Sequence, residues 1–69
     1  MFEIGKRYSF YFDASDSLNH EEAELLEIDD NFFKVMLCRR NIHGSFEPVC
    51  VKFYNKRSVD IVIPLDGKA

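Results

Sequence analysis

Sixty-nine residues, 46% of them hydrophobic, suffice for one domain with a core and are too few for two. A formal net charge of -3 excludes a polycation that clings to any nucleic acid, and no apolar run reaches the length of a membrane-spanning helix. Ordering so short a chain costs about as much as burial returns, so a disulfide, a metal or further copies of the chain become candidate sources of stability.

The opening Met1-Phe2-Glu3-Ile4-Gly5 has no basic stretch ahead of an apolar one, so a cytoplasmic protein without a secretory signal is expected. Gly5 allows at most one N-terminal helical turn. Residues 6–13 then alternate, with Tyr8, Phe10 and Phe12 on one face and Arg7, Ser9 and Tyr11 on the other, which predicts a strand. Residues 13–20 are turn chemistry, rich in Asp, Ser and Asn side chains that bond the local backbone. They lack the alternating ligands and bend glycine of a calcium loop, so a solvated loop and no metal are expected.

Residues 21–27 contain good helix formers, but Ala23 and Leu25 alternate with glutamates. Asp29-Asp30-Asn31 is a tight-turn signal followed by the apolar run from Phe32, and the pair of runs reads as a hairpin. Residues 41–48 are expected to form a loop with Gly44 at its tip and Pro48 at the entry to the next strand. There Val49, Val51 and Phe53 share a face opposite Cys50, Lys52 and Tyr54. A polar turn carrying Lys56-Arg57 leads to a last strand with Val59, Ile61 and Ile63, stopped by Pro64; residues 65–69 are expected to fray. The domain thus spans residues 1–69 with its core in 6–64. Five short strands predict an all-β, strongly bent antiparallel barrel of Sm-like or SH3-like type. An OB-like barrel needs a helix that residues 41–48 are too short to supply.

Charge is unevenly spread. Residues 8–33 hold eight carboxylates and no Lys or Arg, while cations cluster as Lys6-Arg7, Arg39-Arg40 and Lys56-Arg57. Cys38 and Cys50 lie symmetrically about Gly44, which would make them cross-strand neighbours in reach of a disulfide or a shared metal. Two thiols fall short of a structural zinc set, and reduced cysteines are the expected state in a cytosolic protein. His20-Glu21-Glu22 lacks the second histidine of a zinc-protease helix, and neither Ser58 nor the cysteines have a readable base. No enzyme and no cofactor are expected.

The order of parts resembles the Sm/LSm family, nearest to its Hfq-like bacterial branch. Ile28-Asp29-Asp30-Asn31-Phe32 resembles the family's carboxylate-bearing turn between strands two and three. Counted back from Pro64, Lys56-Arg57 stand where the Hfq-like motif has Lys-His, and Asn55 where it has Tyr. Where the family usually has a glycine in the second strand, this chain has Glu22, Ala23 and Glu24. The resemblance implies a bent five-stranded barrel closing into a homo-oligomeric ring, the fourth strand of one subunit pairing with the fifth of the next; five, six or seven subunits satisfy it equally. It also implies single-stranded RNA, U- or A-rich, bound at the pore by Lys56, Arg57 and Asn55, with Asp29 in the neighbouring turn and one of Phe32 and Phe33 stacking on a base. Adjacent strand residues face opposite ways, so one of those two phenylalanines belongs to the core.

Two other readings stand beside this one. An SH3-like module would meet a protein through Tyr8, Tyr11 or Tyr54 and the acidic residues 13–24. A ring subunit from a phage or mobile element would serve assembly alone.

Overall fold

The structure is a computed structural model that describes residues 2–13, 15–16 and 18–65. It contains β1 (Arg7–Tyr11), β2 (His20–Ile28), β3 (Phe32–Arg40), β4 (Phe46–Asn55), one 3₁₀ turn (Lys56–Ser58) and β5 (Ile61–Pro64). All five strands belong to one antiparallel sheet in the order β4-β3-β2-β1-β5. The expected all-β architecture of five antiparallel strands is therefore the one that forms.

Alternation does the sorting. Tyr8 lies opposite Ala23 on β2, and Phe10 lies opposite Val62 on β5. Leu25 lies opposite Val35, and Phe33 opposite Tyr54. Tyr8, Phe10, Ala23, Leu25, Phe33, Val35 and Tyr54 form the buried core, and Phe12, Val59 and Val62 pack against it.

The sheet curls strongly. β4 and β1 are three positions apart in the sheet, about 14 Å if it were flat. The rings of Phe10 on β1 and Tyr54 on β4 nevertheless lie 5.0 Å apart, and those of Phe12 and Tyr54 5.1 Å. A bulge in β2 between Leu25 and Glu27 supplies a bend without the glycine that the resembling family places in this strand. β4 and β5 end the sheet, with no ladder between them among the described residues.

The connections match expectation in part. No N-terminal helix forms among the described residues. Gly5 turns the chain at φ 91°, a conformation costly for residues with a Cβ, and its N–H meets the Leu25 carbonyl at 2.8 Å. β4 begins at Phe46, so the loop closes at residue 45 and Pro48 lies within the strand; an edge position tolerates its missing N–H. Asn41 holds that loop by accepting from the N–H groups of His43 and Ser45. Leu65 is not frayed, since its N–H donates to Arg7 at 3.0 Å; the rest of the expected tail lies outside the described residues. In the acidic loop, Asp13 accepts from Ser15 and Asp16 from the Leu18 N–H, which is the expected local turn chemistry. Those Ser15 bonds, side chain before backbone, hold the Asp13 carboxyl below its ordinary pKa.

The cysteines are not paired opposite each other. The β3–β4 register shifts between Leu37 and Cys38, placing Cys50 opposite Leu37 and Cys38 opposite Pro48. Both thiols are free. Burial pushes the Cys38 thiol up, and it donates to the Met36 carbonyl.

Candidate nucleic-acid interface

Two turns that are distant in sequence meet at one end of the curled sheet. Asp29 shapes the first, its carboxylate accepting from the Asn31 N–H at 3.2 Å and its own N–H donating to Phe32 at 2.9 Å. Asn55 shapes the second as the cap of the 3₁₀ turn, its side-chain oxygen accepting from the Arg57 N–H at 2.9 Å. The β3–β4 ladder sets Phe32 opposite Asn55, and the Lys56 N–H then donates to the Asn31 carbonyl at 2.9 Å. Between the turns lies an open cleft of about 260 Å³ lined by Asp30, Asn31, Asn55, Lys56 and Arg57.

Lys56 also borders a second hollow of about 350 Å³, whose lining includes Phe2, Ile28, Phe33 and Val62. Its ammonium sits 5.5 Å from the centre of the Phe33 ring, a cation–π distance. Phe33 itself is core, 6% exposed and edge-on to Phe2. Phe32 faces outward against Phe53 at 5.3 Å. Of the two phenylalanines singled out from sequence, Phe32 is the one that a base could reach. Asp29 is engaged in its turn. Asp30, which sequence reasoning did not name for the site, is the carboxylate in the cleft.

The other cations are mostly engaged elsewhere. Arg7 and Arg40 lie over the Phe46 ring at 4.9 and 4.8 Å, and Arg40 also meets Glu22 at 3.3 Å. Lys52 reaches Glu21 at 3.0 Å, and Lys34 reaches Glu27 at 4.0 Å. Three of the four β2 carboxylates, Glu21, Glu22 and Glu27, are thus matched by cations of β3 and β4, while Arg57 and Lys56 both line the cleft and the Lys56 ammonium lies over the Phe33 ring.

A second polar cluster lies on the inner side of β2 and β4. The Tyr54 hydroxyl donates to Glu21 at 2.6 Å, and Lys52 donates to both oxygens of the same carboxylate. Burial pushes the Glu21 carboxyl up, but the bonds from Tyr54 and Lys52 and the Lys52 charge outweigh it, and its pKa lies below the ordinary 4.5. Burial first, then the bond to Glu21, pushes the Tyr54 phenol far above its ordinary value, so it remains a donor. A carboxyl whose pKa falls on folding binds fewer protons folded than unfolded. Its contribution is present above the unfolded pKa and is lost as pH falls through the lower folded one. The difference in melting temperature between wild type and Glu21→Gln should therefore shrink as pH drops below 4.5. Thermal melts at stepped pH check this, and a difference unchanged in acid would remove ionised Glu21 from the account. Both partners are partly solvated, so the effect is modest.

Tyr8 and Tyr54 are buried, so they do not form the exposed aromatic surface that an SH3-like reading expects of them. Tyr11 is stacked on His20 at 4.6 Å. The exposed apolar surface lies instead on the two free edges. On β4, Val49, Val51 and Phe53 are 49%, 46% and 60% exposed; on β5, Ile61 and Ile63 are 43% and 46% exposed. Val51, Phe53, Ile61 and Ile63 lie on their strands' outward faces, the opposite face carrying Tyr54 or Val62 into the core, while Val49 stands unpaired at the register shift of β4.

No helix among the described residues is long and apolar enough to cross a membrane. No protein-family model matches the chain, and comparison with curated proteins and with solved structures likewise finds no match.

Proposed function

We propose that this chain is an Sm-like protein that assembles into a homo-oligomeric ring through the β4 and β5 edges and binds single-stranded RNA without catalysis. The observation that carries the reading is the cleft between residues 29–31 and 55–58, where the β3–β4 ladder sets two adjacent cations beside two side-chain amides. Lys56 and Arg57 suit phosphate oxygens, and Asn55, whose oxygen is held by the Arg57 N–H, keeps its amide hydrogens for a base edge. Phe32 offers a stacking face beside them. A ring would repeat these groups once per subunit and raise the local density of positive charge on an otherwise acidic chain. The exposed apolar residues of β4 and β5 support the assembly, since pairing the two edges removes both free edges and brings Val51 and Phe53 of one subunit beside Ile61 and Ile63 of the next.

The double variant Lys56→Ala/Arg57→Ala should weaken binding of a fluorescent single-stranded RNA. It should also flatten the salt dependence, the slope of log K against log salt falling by about 0.7 for each phosphate that is no longer neutralised. Anisotropy titrations at several salt concentrations measure both. Unchanged affinity and slope would place RNA, if bound, at another surface. Location in the cytoplasm is proposed with this function.

A further inference from the structure

We propose that the cleft selects guanine, an inference that rests on the RNA reading and departs from the U- or A-rich strand implied by family resemblance. A carboxylate is an odd component for a phosphate site, because it repels the ligand's charge. Asp30 nevertheless lines the same cleft as Lys56 and Arg57, and among the described residues its side chain has no hydrogen bond or ion pair. The neighbouring Asp29 is the one that holds the turn. Asp30 is therefore a pair of acceptors beside a set of donors, within one small hollow.

Base edges discriminate against this array strongly. Guanine presents two adjacent donors, N1–H and the N2 amine, to a carboxylate, and two acceptors, O6 and N7, to an arginine or lysine. Adenine and cytosine each set a ring-nitrogen acceptor beside their amine, which a carboxylate repels. Uracil offers a single N–H flanked by two carbonyls. Guanine alone matches a carboxylate with a paired donor edge while its other edge faces Lys56 or Arg57. Asn55, with its oxygen already accepting from the Arg57 N–H, adds a donor to the cationic side.

The test uses the wild-type protein and short uridine oligonucleotides carrying one central guanosine, adenosine, cytidine, inosine or uridine, read by anisotropy. The guanosine strand should bind about tenfold more tightly than the uridine and adenosine strands, and inosine, which lacks the N2 amine, should fall between them. Asp30→Asn replaces one acceptor with a donor and should abolish the guanosine preference, so that the guanosine strand binds no more tightly than the others. Salt-sensitive binding that is equal for all five strands would overturn guanine selection and leave the RNA reading standing. No binding to any strand would overturn both. A guanosine preference that survives in Asp30→Asn would overturn the role of Asp30.

Discussion

In the proposed ring, Phe53→Asp should convert the assembly into a folded monomer. Phe53 is 60% exposed in the single chain, its ring meeting Phe32 on the outer face, so a carboxylate there is tolerated by the isolated fold. Beside the β5 edge of a neighbour, Ile61 and Ile63 would flank the same carboxylate and strip part of its hydration, a penalty repeated at every interface. Light scattering at two concentrations should find the wild type at a discrete multiple of 8.1 kDa and the variant at that mass itself, with the far-UV spectrum unchanged. A variant that keeps the wild-type mass would acquit the outer face of β4. A wild type that is monomeric at high concentration would end the ring reading and return attention to a protein partner.

The largest stability loss is expected from Leu25→Ala. Leu25 is fully buried beside the bulge of β2, opposite Val35, and its backbone accepts from Gly5 and donates to Lys6. Truncating such a side chain costs about 2.7–5 kcal/mol, including the cavity left behind. A domain of 69 residues has about 3–10 kcal/mol in total, so the variant sits near the midpoint of its own unfolding. Urea titration at fixed protein concentration measures the change, which matters because association adds to apparent stability. A shift in midpoint no larger than that of a surface substitution would contradict the packing around Leu25.

The strands were legible because alternation in residues 6–13 and the Asp29-Asp30-Asn31 signal are local features. Whether Phe32 or Phe33 is core was not legible, since parity says only that they differ; the β3–β4 register decides for Phe33. The cysteine symmetry about Gly44 misled for a related reason. One register shift between Leu37 and Cys38 defeats any count made from the hairpin tip. Pro48 was read as a boundary because proline cannot donate to a ladder, a rule that does not exclude an edge strand. At the site, the residues of both turns could be named from the chain, but their meeting depends on the ladder between Phe32 and Asn55. Asp30 and Asp29 are indistinguishable as letters. Only the hydrogen bond to Asn31 shows which carboxylate builds the turn and which faces the cleft.

The bulge in β2 bears on topology beyond the single chain. A subunit with two unlike open edges joins head to tail, and the angle between those edges decides whether the series returns on itself or propagates as a filament. Here that angle is set by the curl of the sheet, and one surplus residue between Leu25 and Glu27 contributes to the curl. Deleting Leu26 would keep Leu25 and Ile28 on the inward side while straightening the strand between them. The composition of both edges would be unchanged, and they would point in a new direction. If the edges join as proposed, fibre growth, visible by electron microscopy, would then replace the proposed ring without any change in the edges themselves.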